Sequence, residues 1–471
     1  MANIIYGMAN VAKTALITQQ KALDITANNI ANVGTEGYSR QRVVMEQNEP
    51  VYYEGGALST GVQANRTIQR IYDRFLSAQM SEAASKQGRW EAQLETLEKA
   101  ELMFEDASGY GLNGAMSEFW NSWQDVANNP SGYAERATLL ANGENLARVF
   151  NKLSTDLIQV QADSDYSIEG TVDDINSLTR EIADLNLRIA NVEAGNLHSA
   201  NDFRDQRDLK LKTLSSLIDV NGFEDGNGFL TISSINGHTL VDRTRSWDLT
   251  TAPNTDGFQD VFWESSSGTL ENITSNISTG KLKGWIEARD VMIPDYHSRL
   301  DEMAVNLANA VNGLHNGTPN GGLDLYGNPG LDFFAATTGA GDIQVNDLLA
   351  ADTNLIAAAF DTEGIPGGNG NAIALAEVQN QLLMSAGSAT LDDFYNGLVS
   401  DVGRFVSQAE LSVEHQSTVS LQLATYREEV SGVSMDEEMV NMVQFQSAYS
   451  AAAKLVTTVD EMLNSLIAMV Q

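Results

Sequence analysis

Cysteine is absent from all 471 residues, which excludes disulfides, thiolate metal sites and thiol nucleophiles. Positive charge is scarce. Against 63 Asp and Glu stand 28 Lys and Arg, a net charge of −35 that opposes binding to nucleic acid or an anionic membrane surface. No apolar run reaches the roughly 18 residues that a membrane-spanning helix needs. The opening "MANIIYGMANVAKTALITQQKAL" has no basic stretch leading into an unbroken apolar one, and so predicts no Sec-type signal peptide. The five histidines, His198, His238, His297, His315 and His415, share no metal-ligand spacing. No phosphate loop, HExxH helix or serine elbow is present, and the glycines of "GIPGGNGNA" read as a connector. "EDGNG" (Glu224 to Gly228) lacks the acids of a calcium loop and predicts a turn. No catalytic, cofactor or metal residues are predicted.

What the chain does have is helical periodicity, concentrated at its ends. Its length allows two to four domains. Ala9, Leu16, Leu23 and Ile30 recur every seventh residue, and Ala12, Gln19, Thr26 and Val33 follow each by three. This helix should stop near Val33, where Asn32, Gly34 and Gly37 tolerate turn geometry. At the other end "SMDE" predicts a capping box, with Ser434 as N-cap and Glu437 reaching back. A seam then runs through Met442/Phe445, Tyr449/Ala452, Val456/Val459, Leu463/Leu466 and Val470.

Between the ends, short β pieces occupy "RQRVVME", "PVYYEGG" and "STGVQA". A polar helix is predicted from about Arg66 to Asp106, and more helix from about Tyr133 to Glu193. The latter carries Ile168, Ile175, Ile182 and Ile189 at sevenfold spacing, with Leu178, Leu185 and Val192 three beyond the last three. "GTVDD" after position 169 can open a separate helix, so one helix or two both fit. From Asp219 the pattern alternates and is broken by Asn-Gly and Asp-Gly turns, which reads as a small inserted β domain. Helix returns at "KLKGWIEARDVMIPDYHSRLDEMAVNLANAVNGLH" and again from Thr390.

The fold class expected is mainly α: a long helical bundle or coiled-coil core built from both termini, with a small β insertion. The boundaries are 1–62 and 432–471 for a terminal assembly domain, 63–218 and 280–431 for a helical rod, and 219–279 for the outer β domain. Heptads alone also fit an ordinary intramolecular bundle, but seams at both extreme ends favour assembly with further copies. On that reading Asn28, Asn29 and Asn32 offer amides to neighbouring chains, and Tyr38 is a large anchor with a polar tip. The bland alternative is a helix cap and loop with no further duty.

"ALDITANNIANVGTEGYSRQRV" (22–43) resembles the amino-terminal signature of the bacterial flagellar axial family of rod, hook and hook-associated proteins. "HTLVDRTRSWDLTT", "GLHNGTPNGGLDLYGNPGLDFF" and "SGVSMDEEMVNMVQFQSAYSAAAKLVTTVDEMLNSLI" are similar to the hook–filament junction branch of that family. The resemblance implies a structural subunit, not an enzyme, located in the extracellular flagellum. Its subunits would form a ring in a helical assembly, touching hook protein on one side and a second hook-associated junction protein on the other. It also implies type III export without a cleaved signal, and a cytoplasmic export chaperone holding Val456, Val459, Leu463 and Leu466. Leu16, Leu23, Asn28, Asn29, Ile30, Asn32, Tyr38, Met442, Phe445, Tyr449, Val456, Val459, Leu463 and Leu466 form the expected assembly interface. The methionines at 435, 439, 442, 462 and 469 suit a helix that binds a chaperone first and a tube later. One outer β domain is expected where longer relatives have two. The alternatives are a hook or other axial subunit, and a secreted enzyme or surface-binding protein acting through the β domain. Deleting 219–279 would separate the last of these, leaving assembly intact if the protein is axial.

Overall fold

A computed structural model describes residues 2–47, 51–53, 56–58, 61–104, 111–194, 199–316 and 321–470. Helix α1 (Ala2–Ala31) opens it. Four short strands follow: β1 (Gln41–Gln47), β2 (Val51–Tyr53), β3 (Gly56–Leu58) and β4 (Val62–Arg70). β1 pairs antiparallel with β4, from Gln41 opposite Arg70 to Gln47 opposite Val62, and β2 pairs with β3. The helix expected from Arg66 therefore begins later, as α2 (Arg74–Phe104). Residues 62–70 give their backbone to the β1 ladder, and the Asp73 carboxylate then accepts the N–H groups of Phe75 and Leu76 to start the helix. The expected end at Asp106 lies outside the described residues.

Helix α3 (Leu112–Asn128), which periodicity had not revealed, brings Phe119, Trp120 and Trp123 into the core. Next comes α4 (Tyr133–Glu193), a single rod of 61 residues, about 92 Å long. Thr171 caps nothing; its hydroxyl donates back to the Ser167 carbonyl at 2.6 Å, inside a continuous helix. Helix α5 (Asn201–Leu217) leads into seven strands. They are β5 (Val220–Glu224), β6 (Leu230–Ser234), β7 (Thr239–Asp242), β8 (Arg245–Ser246), β9 (Leu249–Pro253), β10 (Gln259–Glu264) and β11 (Leu270–Asn272). They form a four-stranded sheet, β5-β6-β7-β8, and a three-stranded sheet, β11-β10-β9.

Helix α6 (Lys281–Glu287) continues through a π-helical turn, Ala288–Met292, into α7 (Ile293–His315). Pro294 has no N–H for the helical ladder, and the wider turn just before it absorbs the mismatch. Two short helices, α8 (Asp347–Ala351) and α9 (Gly370–Ala376), interrupt a long loop. Helix α10 (Leu391–Ser431) starts from a full capping box, Thr390 with Asp393, and α11 (Met435–Val470) ends the chain. At Ser434 only half of the expected box forms. The Glu437 N–H meets the Ser434 hydroxyl at 3.5 Å, but the Glu437 carboxylate is bound to Arg40 instead.

Two apolar cores hold these elements. The first half of α4 packs with α3, α7, the end of α2 and the start of α10, around Phe119, Trp123, Phe150, Phe333 and Tyr395. In the second half, Ile168, Ile175 and Ile182 turn toward Leu230, Ile232, Leu240, Val241, Leu249 and Val261 of the two sheets, with Trp285 of α6. This sevenfold stripe is thus covered by the two sheets together with Ala92 of α2, Leu214 of α5 and Leu282 and Trp285 of α6, rather than by one coiled-coil partner. The β insertion and the rod share one core.

Candidate assembly site at the chain ends

The polar passage after α1 is a hub on which five elements converge. Gly37, at φ +84°, takes the left-handed turn that L side chains disfavour. Its carbonyl and that of Tyr38 accept from the Arg427 guanidinium of α10 at 2.7 and 3.1 Å. The Ser39 N–H donates to Asp205 of α5, and the Gln41 side chain donates to Asp202. The Arg40 N–H reaches the Ser431 carbonyl, while its side chain grips Glu437 and Glu438 at the start of α11. Arg70 closes the group by pairing with Asp205 at 2.9 Å and Asp208 at 2.7 Å.

Asn29 sits at the centre, 1 % exposed. Its amide nitrogen donates to the Gln41 carbonyl and to Glu438; its oxygen accepts from the Tyr38 hydroxyl and the Gln41 N–H. Every hydrogen-bonding position of the amide is used. Asn29 and Tyr38, expected to serve neighbouring chains, are spent inside this one. Asn28 and Asn32 bond each other at 2.6 Å across one helical turn. Burial, then Asp202, Asp205 and Glu438, push the Tyr38 phenol up. Burial also raises Asp205, although Ser39 and Arg70 favour its charge. For Arg70 the acids prevail: Asp208 and Asp205 hold it above its ordinary value against burial. A short polar motif thus ties both chain ends to α5.

From this hub α1 and α11 run as an antiparallel pair, the end of one beside the start of the other. α11 turns one sevenfold stripe inward: Glu438, Ala452 and Val459 are buried, and Phe445 and Leu466 half-buried. The second row of the expected seam divides. Met442 is half-buried, whereas Tyr449, Val456 and Leu463 remain 39 %, 41 % and 37 % exposed. On α1 the fully buried positions are Ile5 near its start and then small or polar ones, namely Ala12, Thr18, Ala22, Thr26 and Asn29. Leu16, Leu23 and Ile30 are half-buried, and Val33 is exposed past the helix end. The pairing thus leaves one row of the α11 seam exposed, while the α1 seam is buried or half-buried up to the end of its helix. The Val470 side chain lies outside the described residues.

Elsewhere the chemistry-bearing residues have structural duties. His315 is fully buried, accepts the Ala357 N–H at 2.9 Å and contacts the Leu331 carbonyl; burial lowers its pKa to about 4. His415 is exposed on α10, His238 stacks on Trp263, and His198 lies outside the described residues. Asp225 of "EDGNG" accepts the Asn227 and Phe229 N–H groups, a turn. One constellation went unseen in the sequence. Ser154 Oγ is 2.9 Å from His297 Nε2, and His297 Nδ1 is 3.1 Å from Asp301 Oδ2, the order of a hydrolase triad. Yet Ser154 is buried, and a β-carbon at Gly341 would stand 3.1 Å from its oxygen. The Ala340 N–H is spent on Asp301, and Asn151 holds the carbonyls of Ala340 and Ile343. The relay pins this loop to α4 and α7.

Three family models match the chain along its length. Residues 10–38 match "Flagella basal body rod protein", and 426–469 match "Flagellar basal body rod FlgEFG protein C-terminal". These are the two helices that meet at the hub, and they define the class: a structural protein of the flagellar axis. Residues 97–334 match "Flagellar hook-associated protein FlgK helical domain". Flagellar hook-associated protein 1 of Bacillus subtilis (strain 168) is 32% identical, over 97% of this chain and 96% of its own. That of Escherichia coli (strain K12) is 25% identical over 98% and 99%. The chain belongs to the flagellar hook-associated protein 1 (FlgK) family. A solved structure, the flagellar hook junction protein FlgK from Burkholderia pseudomallei, shares the fold, with a TM-score of 0.66 at 16% identity over 75% of this chain and 100% of its own.

Proposed function

We propose that this chain forms the junction ring between flagellar hook and filament, and that it does so by packing the free faces of α1 and α11 into the axial tube. The observation that carries the reading is the half-covered seam of α11: Tyr449, Val456 and Leu463 remain exposed beside the stripe that faces α1. Exposed apolar rows at such spacing suit a repeated heterologous interface, which generates rings or open helices. Hook protein is the partner on one side and a second hook-associated protein on the other. Before assembly, Val456 and Leu463 offer an export chaperone an outward face, while Val459 and Leu466 become available to it only if α11 leaves α1. Export follows the type III route, and the protein acts without catalysis. The terminal unit (1–62 and 432–471), the rod (63–218 and 280–431) and the β unit (219–279) divide the labour into assembly, spacing and outer surface. Electron microscopy of a strain lacking the gene tests this: hooks without filaments are expected, and missing hooks would sink it.

A further inference from the structure

The two apolar cores do not meet. On α2 the second core ends at Ala92 and the first begins at Leu97; on α4 the gap lies between Val160 and Ile168, and on α6–α7 between Ile286 and Ile293. Within those gaps the buried residues are Gln93, Thr96, Ser164, Ala288 and Arg289, with no large apolar side chain among them. Their contacts are polar. The Thr96 and Ser164 hydroxyls lie 3.3 Å apart. Glu287 receives Arg89 at 2.7 Å and the Gln93 amide. Arg289 reaches Asp165 at 2.7 Å and the Gln259 carbonyl at 2.6 Å.

The helices α2, α4, α6–α7 and α10 cross this level, and each is loosened there. Thr96 donates to the Ala92 carbonyl, and on α4 Ser164, Ser167 and Thr171 donate in succession to carbonyls one turn back. Such bonds compete with the helical ladder and favour bending. Gly170 weakens the same stretch of α4, and no packing requires it, since a β-carbon there would meet nothing within 4 Å. In the π-turn the Ile293 N–H bonds Ala288 instead of Arg289, and the freed Arg289 carbonyl takes the Gln161 amide of α4 at 2.9 Å. Ser412 of α10 donates back to Gln408, beside a groove of about 510 Å³ between α10 and Trp90 of α2. Interdigitated apolar side chains resist tilting, whereas long polar ones follow a changing helix separation by changing rotamer. We propose that the rod carries a joint at this level, about which the body built on the first core tilts against the body that holds the β sheets and the hub. In a ring between two lattices, such a joint lets one body keep its place while the other follows its neighbours. The joint itself is a property of the single chain and does not rest on the ring reading.

The lack of cysteine makes the test clean. Spin labels on paired cysteines at exposed positions of the purified full chain report distances by double electron–electron resonance. Leu382→Cys with Leu187→Cys spans the joint. Leu382→Cys with Leu102→Cys stays within the first body, and Leu187→Cys with Phe223→Cys within the second. The spanning distribution is expected to be about twice as wide as either internal one. Thr96→Val, Ser164→Ala and Gly170→Ala together replace both partners of a buried polar pair by apolar groups and strengthen α4. That triple variant should narrow the spanning distribution to the internal width and leave the internal pairs unchanged. A spanning distance as sharp as the internal ones overturns the joint. So does a width that the triple variant leaves unchanged or increases, since the polar layer would then be a lock on register. Either result leaves the ring reading standing, which falls instead to missing hooks in the strain lacking the gene.

Discussion

The Asn29 amide donates to the Glu438 carboxylate at 3.1 Å, joining positions 409 residues apart. Glu438 is 2 % exposed and also receives the Arg40 guanidinium at 2.7 Å. A buried carboxylate is tolerated only with such partners, because desolvation otherwise outweighs its attractions. The pairing of the chain ends is therefore conditional on the motif around Asn29.

Asn29→Ala is expected to release α11 from the hub without unfolding the rod. It leaves the Gln41 N–H, the Tyr38 hydroxyl and Glu438 each short of a partner, at a combined cost of about 2–4 kcal/mol. Hydrogen exchange should show the amides of 435–450 losing protection while α4 and α7 keep theirs. Equal protection of α11 in the variant would refute this.

Arg40 and Glu438 should couple strongly. A double-mutant cycle with Arg40→Ala and Glu438→Gln is expected to give about 1–3 kcal/mol of interaction in the stability of the terminal pair. Arg40→Ala alone should cost more than it does in the Glu438→Gln background, since it strands a buried charge. Strict additivity would remove Arg40 from the clasp.

His315 makes stability depend on pH with a definite sign. Its pKa is about 4 when folded, against an ordinary value of 6.5, because burial penalises the imidazolium. The unfolded chain thus binds a proton that the folded chain refuses. This contribution to stability is fully present above pH 6.5 and is lost as the pH falls toward 4, by on the order of 3 kcal/mol. Asp205 and Asp219 act oppositely: burial raises both, so their protonation favours the folded chain as acidity increases. Urea unfolding of the wild type and of His315→Gln between pH 7 and 4.5 separates the two. The variant should be less stable at pH 7 and lose less on acidification; parallel pH curves would exclude His315 as the group responsible.

How much was legible follows from range. The seams at 9–33 and 442–470, the helical character of 133–193 (though not its continuity past Gly170) and the return helix from 281 were readable because each is a local period or a local cap. The exchange of partners was not. Nothing within 62–70 announces that the segment will pair with residues 41–47 rather than extend α2, and Glu437 looks like a capping acid until Arg40 is placed beside it. Asn29 illustrates the same limit, since its amide reads as free in sequence and is saturated by groups 9, 12 and 409 residues away. The Ser154–His297–Asp301 relay joins two helices 143 residues apart and has no local pattern. The expectation that 219–279 could be deleted harmlessly also fails physically, because those strands cover Ile168, Ile175 and Ile182. Excision should leave a rod that aggregates or unfolds, so a milder probe of the β unit is needed.

Val459 and Leu463 lie one turn apart on α11 yet face different neighbours, and substituting them singly tests assembly more sharply than substituting both. Val459 is 4 % exposed against α1, and Leu463 is 37 % exposed. Val459→Asp buries a charge with no partner, so the helix pair should open in the isolated monomer, costing about 3 kcal/mol or more. Leu463→Asp places its charge at the surface and should leave monomer stability within about 0.5 kcal/mol. If the free face of α11 carries assembly, Leu463→Asp nevertheless abolishes filament attachment. Denaturation of both purified variants, beside motility of strains that export them to wild-type levels, reads the difference. A motile Leu463→Asp strain with full-length filaments would mean that the exposed row is idle, and that the pairing of α1 with α11 is all the two seams provide.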